Sequence, residues 1–267
     1  MRIIDIHTHA FPDALADRAM SFLEEEGNIK AALDGRVSSL LGSMDKAGIE
    51  RSVVCSIATK PSQFKAILAW SKLIASDRII PFPSVHPDDP DAAAHVAEVH
   101  AAGLKGIKLH PYYQHFALDE PRVNPIYEAI QAHGLLFLCH TGFDLAYPRD
   151  RLCDPAKIVA VLDRFPKLKM ITSHLGGWND WDEVRRLMLG KRIMIETSFS
   201  LHVLGKAASR DLILSHPADC LFFGTDSPWA DQSTAVKEFL DLGLPKELER
   251  AILYDNAARI LDSAAEG

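Results

Sequence analysis

A single (β/α)8 TIM barrel of the α/β class is the fold this sequence predicts, and three observations predict it. The chain has 267 residues, 48% of them hydrophobic, close to the usual length of one such domain. Short β-branched runs alternate with longer amphipathic stretches eight times, with no break in composition. Several of the apolar runs end in histidine or aspartate, the position that faces the open mouth of a barrel.

The strands are expected at residues 3–7, 52–57, 79–85, 106–110, 135–140, 169–174, 192–197 and 220–225. An open sheet usually has fewer strands than this, so the count favours closure. Helices are expected at 90–102, 122–133, 155–165, 180–189 and 206–215. Asp154 before Pro155 reads as an N-cap with proline at the first helical position, and Gly103 and Gly134 follow helices they would end. Residues 10–41 exceed a minimal repeat, and residues 245–265 read as an extra C-terminal helix packing outside the barrel. Residues 1–267 are expected to form one domain, with no linker, low-complexity tract or short repeat.

Composition excludes several classes of function. Lys plus Arg number 29 against 36 for Asp plus Glu, a formal charge of -7, and no basic run could track a phosphate backbone, so nucleic acid is not an expected partner. The start lacks a signal-peptide pattern, and no apolar run approaches the ~20 residues of a membrane span. A cytoplasmic protein without membrane contacts is expected, acting on a small molecule, with a homodimer left open. Cys55, Cys139, Cys153 and Cys220 are widely spaced without a CxxC motif and read as reduced.

Candidate chemistry lies at the strand ends. Asp5, His7 and His9 are two apart, a spacing that in a regular strand turns all three side chains to one face, here the interior. His140, His174 and Asp226 end strands five, six and eight. Taken singly, each is more often a capping or loop residue, but their recurrence points to a shared cation. Imidazole and carboxylate donors without thiolate suit Zn2+, Mn2+ or Fe2+ and leave a position for water. A buried Asp226 without a partner would cost several kcal/mol, roughly the effective penalty for a desolvated ion, and a divalent cation removes that cost. Asp5 is expected one layer deeper, orienting a ligand by a hydrogen bond.

Around these stand candidates for substrate binding. Strand four turns Gly106, Lys108 and His110 one way, so Lys108 faces inward as an ion-pair partner or an anchor for a substrate carboxylate. Trp178, Trp181, Trp229, Tyr112, Tyr113 and Phe143 follow strand ends and would form an aromatic wall or simply cover the loops. Asp144, Arg149 and Arg151 lie in the loop after His140, where an arginine could hold a carboxylate in a bidentate pair or merely lie on the surface. His86 and His110 end strands three and four and are pocket candidates, whereas the remaining histidines fall on helices or loops and read as structural.

The motifs DIHTH (5–9), GIKLHP (106–111), CHTG (139–142), SHLGG (173–177), GTDSPW (224–229) and NAARIL (256–261) occur in this order. With them the chain resembles the amidohydrolase superfamily, specifically the amidohydrolase-related group that includes aminocarboxymuconate semialdehyde decarboxylase. The resemblance implies that His7, His9 and His140 bind a metal and that Asp226 is a ligand, a general base or both. It gives His174 either the metal-side water and substrate, as in mononuclear members, or a second metal, as in binuclear ones. It also adds a reading of Lys108 as a carboxylated lysine bridging two metals.

Metal-assisted hydrolysis of a lactone, amide or similar carbonyl compound is the expected reaction, with a metal-activated water and with Asp226 and His174 moving the proton. Non-oxidative decarboxylation of an aromatic or unsaturated acid is the alternative. The first loop, HAFPDALADR, offers Arg18 but no basic cluster to match the decarboxylases' carboxylate anchors. A metal-binding protein without catalysis is the third reading. A deoxyribonuclease of the same superfamily is disfavoured, because those relatives place a glutamate where this chain has GIKLHP.

Overall fold

Eight apolar runs form parallel strands in the computed structural model of the chain, which describes residues 1–263. The first half comprises β1 (Ile4–Thr8), α1 (Asp13–Gly27), α2 (Val37–Ala47), β2 (Arg51–Cys55), α3 (Phe64–Ile74), β3 (Ile79–Phe82), α4 (Ala92–Ala101) and β4 (Gly106–Leu109). It continues with α5 (Asn124–Ala132), β5 (Leu136–Cys139), α6 (Pro155–Arg164), β6 (Lys169–Thr172), α7 (Trp181–Leu187) and β7 (Met194–Glu196). Then follow α8 (Leu201–Leu204), α9 (Lys206–Leu214), β8 (Leu221–Phe222), α10 (Gln232–Asp241), α11 (Lys246–Arg250) and α12 (Asn256–Ser263). The expected cap signals act locally: Asp154 Oδ1 accepts from the amides of Ala156 and Lys157 to start α6, and Gly103 and Gly134 take left-handed backbone after α4 and α5.

The ladder runs in two blocks, β1-β2-β3 and β4-β5-β6-β7-β8. Single bonds join them into a barrel: Lys108 N donates to Pro83 O at 2.8 Å between strands three and four, and Ile6 N donates to Phe223 O at 3.0 Å between strands eight and one. Strand β8 is shorter than the sequence suggests. The amide of Phe223 is bonded to the carbonyl of Ile252, which lies in the π-helical turn Ala251–Asp255 that connects α11 to α12.

Alternation on the strands sorts side chains into two apolar layers. Ile107, Leu109, Phe137 and Cys139 pack outward against the helices, while Ile4, Ile6, Val53, Leu136, Leu138 and Phe222 fill the interior. The extra C-terminal helix expected from the sequence lies across the starts of the strands. Ala257, Ile260 and Leu261 join the inner layer, Lys105 Nζ donates to Leu261 O at 2.5 Å, and Arg51 pairs with Asp262 at 2.9 Å. The part of this expected helix beyond residue 263 lies outside the described residues.

One local irregularity decides where the first motif points. In the pairing of β1 with β2, Asp5 faces Ser52 but Thr8 faces Val54, so β1 carries one extra residue between them. The period of two therefore breaks. Asp5 does not share a face with His7, as strict alternation required: its carboxylate accepts from Gln232 Nε2 of α10 at 2.8 Å and Thr225 Oγ1 at 2.6 Å, while His7 follows Ile6 inward. Among the described residues, no helix is long and apolar enough to cross a membrane.

Candidate metal centre

Three donor atoms meet at the mouth of the barrel. His7 Nε2 lies 3.2 Å from His9 Nε2, and Asp226 Oδ1 lies 3.4 Å from the first and 3.2 Å from the second. The other nitrogen of each ring is already committed. His7 Nδ1 donates to Glu196 Oε1 at 2.9 Å, and His9 Nδ1 donates to the carbonyl of Cys55 at 2.9 Å. Both Nε2 atoms are then lone-pair acceptors turned on each other and on a carboxylate, with Lys108 Nζ 2.9 Å from the first, an arrangement that attracts a cation. Two nitrogens ~2.0–2.1 Å from a tetrahedral ion stand about 3.3 Å apart, close to the spacing seen, so the donor set fits a divalent metal.

The surroundings aim both rings and hold His7 neutral. Burial, reinforced by the positive charge of Lys108, pushes His7 well below the ordinary imidazole range, and neutral imidazole is the ligating form. Glu196, fully buried at the end of β7, accepts from His7, from Ser198 Oγ at 2.6 Å and from the amide of His174 at 3.1 Å. Burial raises its pKa, and the neighbouring His174 and the hydrogen bonds from Ser198 oppose the rise. Gly224 makes room for it: a Cβ there would lie 2.3 Å from Glu196 Oε2.

Asp226 and His174 owe their aim to strained backbone. Their φ angles are 65° and 58°, in the left-handed region that costs a non-glycine residue about 1–3 kcal/mol. The turn at Asp226, tied by its amide to His7 O at 2.8 Å, brings the carboxylate back over strand one. Asp5 serves the same junction from behind. Its Oδ1 accepts from the amides of His7 and Thr225, fastening β1 to β8, and burial raises its carboxyl pKa to about 7.

His140 and His174 form a second pair beside the first. His174 Nδ1 donates to Ser198 O at 3.0 Å and His140 Nε2 to Phe143 O at 3.1 Å, which leaves His174 Nε2 and His140 Nδ1 facing at 3.1 Å. Two acceptors in that position need a shared proton or a cation between them. His140 thus does not join the donor cluster of His7, His9 and Asp226; it groups instead with His110 and Asp144. His110 stacks on His140 at 4.1 Å between centroids and lies 3.4 Å from Asp144 Oδ2.

Lys108 faces inward as its strand predicts and is fully buried. Its Nζ sits 2.9 Å from His7 Nε2, the one side-chain hydrogen bond it makes among the described residues, so no protein carboxylate takes the ion-pair role expected for it.

The candidate substrate residues divide. His110, Trp178 and Trp229 line the cavity over the centre, together with Tyr113 and Phe143. The indole nitrogen of Trp178 is buried without a hydrogen-bond partner among the described residues. Trp181 and Tyr112 stand behind the wall, donating to His174 O at 3.0 Å and Gly142 O at 3.3 Å. Arg149 does not line the cavity: its guanidinium stacks on Phe143 and reaches Asn179 O, while Arg151 is bound by Asp180 and Glu183. His86 also lies away, accepting from the amide of Asp88. Sequence reasoning missed Glu196 and Ser198. A glutamate inside the apolar run 193–197 was the available signal, since an unpaired buried carboxylate is expensive.

A family model described as Amidohydrolase matches residues 4–262. Among solved structures, an uncharacterized TIM-barrel protein from Bordetella bronchiseptica is 22% identical, with a TM-score of 0.77 over 99% of both chains. 5-Carboxyvanillate decarboxylase LigW from Sphingomonas paucimobilis is 17% identical, with a TM-score of 0.71 over 98% of this chain and 99% of that one. A probable 2-pyrone-4,6-dicarboxylic acid hydrolase from Acinetobacter baumannii is 16% identical, with a TM-score of 0.67 over 98% of this chain and 100% of that one. No curated protein matches the sequence.

Proposed function

Because the chain belongs to the amidohydrolase family, we propose that it is a metal-dependent hydrolase of a small carbonyl compound such as a lactone, ester or amide. The observation that carries this reading is the convergence of His7 Nε2, His9 Nε2 and Asp226 Oδ1 within 3.4 Å of one another at the floor of a cavity. His7, His9 and Asp226 would hold a divalent cation, Zn2+ being the best match to the donors, with Mn2+ and Fe2+ next. When bound, such an ion supplies Lewis acidity, polarising a substrate oxygen and lowering the pKa of water.

The chain's own residues divide the remaining work. Glu196 and the Cys55 carbonyl hold the two imidazoles in the ligating tautomer. Asp226, the most exposed of the three donors' side chains at 13%, takes the proton of the attacking water. His174, paired with His140, returns a proton to the leaving group, and His140 steadies that proton or completes the ion's ligand set. Lys108 Nζ and the Trp178 indole N–H are donors placed to hold a substrate oxygen. One ion per chain fits Lys108 in that role, whereas two would fit a carboxylated bridge.

Decarboxylation is the second reading, favoured by the likeness in fold to 5-carboxyvanillate decarboxylase and to 2,6-dihydroxybenzoate decarboxylase from Rhizobium, the latter 20% identical with a TM-score of 0.71. Among the described residues no arginine lines the cavity, which weighs against a substrate with a second carboxylate. Assay of the metal-replete protein against lactones, esters, amides and hydroxybenzoates, following acid and carbon dioxide release together, separates the two. Acid without carbon dioxide is expected; carbon dioxide from a hydroxybenzoate would replace hydrolysis with decarboxylation.

A further inference from the structure

The cavity extends well beyond the centre. Its volume is about 480 Å3, within the ~300–1,000 Å3 of sites that enclose drug-sized ligands. Of the described residues lining it, Lys108, Asp144 and Asp226 carry formal charge, and all three stand against the histidines, at 2.9, 3.4 and 3.2 Å. Charge is therefore confined to the inner end.

Two helices build the outer end. From α1, Leu15, Ala19, Phe22 and Leu23 turn one stripe to the cavity; from α3 and the residue that precedes it, Gln63, Ala66, Ile67 and Trp70 turn another. Both stripes follow the three- and four-residue spacing of a helical face. Each has an alanine near its middle, which leaves a channel between the bulkier side chains. Leu15, Phe22 and Leu145 are 53%, 57% and 49% exposed and meet at this one mouth. Clustered exposure of large apolar groups marks a binding surface, and here it is continuous with the candidate centre.

We infer that the vestibule between α1 and α3 binds the uncharged, apolar arm of an elongated substrate whose carbonyl end reaches His7, His9 and Asp226. The inference rests on the hydrolase reading for its reactive end and on the vestibule alone for its arm. A dicarboxylate is a poor fit, because its second carboxylate would lie among leucine, phenylalanine and tryptophan side chains without a counter-charge. An alkyl chain gains contact with each methylene it adds, until it fills the space.

Two measurements on the metal-replete protein test this. With p-nitrophenyl esters from acetyl to decanoyl, kcat/KM should rise about threefold to fourfold per methylene before levelling. Calorimetric titration with 1-octanol, which needs no turnover, should show saturable binding. Ala66→Trp fills the channel and Phe22→Asp charges it; both positions are exposed, so folding is preserved. Each should lower the octanoyl-to-acetyl ratio of kcat/KM by about tenfold and abolish octanol binding. Esters hydrolysed without dependence on chain length, with no octanol binding, would overturn the apolar arm and leave the hydrolase. Octanol binding lost in both variants, with no ester turned over, would keep the arm and remove the hydrolase.

Discussion

At and behind the inner end of the cavity His7, Glu196 and Ser198 are buried and each is held by named partners, whereas Leu15, Phe22 and Leu145 stand half exposed at the outer end. The inner end is a polar network in which one lost group leaves others unsatisfied in a place water does not reach. The outer end is apolar surface, where a substitution changes only what the surface covers. Changes at the two ends should therefore differ in size and in kind.

The largest effects should come from the donor atoms themselves. His7→Ala and Asp226→Ala are expected to lower kcat/KM on the order of a thousandfold or more, several kcal/mol of lost Lewis-acid stabilisation. His7→Ala should also lower metal content by elemental analysis, and a chelator should silence the wild type. Full activity in either variant would place the chemistry elsewhere.

A smaller loss should follow one bond further out. Glu196→Gln keeps the shape but weakens the acceptor for His7 Nδ1, and metal affinity by competition titration should fall about 10- to 100-fold. Unchanged affinity would mean that Glu196 only packs. Gly224→Ala forces a methyl group against the same carboxylate and should cost about 1–3 kcal/mol of stability in denaturant unfolding. Smallest of all is Arg149→Ala, which should change kcat/KM less than about twofold, since surface substitutions usually cost under about 0.5 kcal/mol. A large loss there would bring the arginine into the site and blur the division between the two ends.

The sequence made the polar end partly legible and the apolar end hardly at all. The convergence of His7, His9 and Asp226 could be anticipated because potential metal-ligand types recur at the ends of apolar strands. The face of Asp5 could not, because the extra residue in β1 leaves no composition signal and strict alternation then misplaces one side chain. Glu196 looked like any polar residue in a short strand until His7 of β1 and His174 of the turn after β6 stood beside it. Arg149 was chosen for its chemistry and its loop, but the guanidinium lies over the Phe143 ring. The stripes of α1 and α3 have ordinary amphipathic spacing, so only their joint position over the mouth distinguishes them from core faces. The final helix was evident, but its place across the strand starts depended on Lys105 and Arg51, which sequence separates from it by more than 150 residues.

Anomalous diffraction from crystals of the metal-replete protein probes the centre most directly. The expected result is a peak bonded to His7 Nε2, His9 Nε2 and an Asp226 oxygen at about 2.0–2.2 Å. An ion held only by His110, His140 and Asp144, or no ion with the first three side chains turned apart, would contradict it.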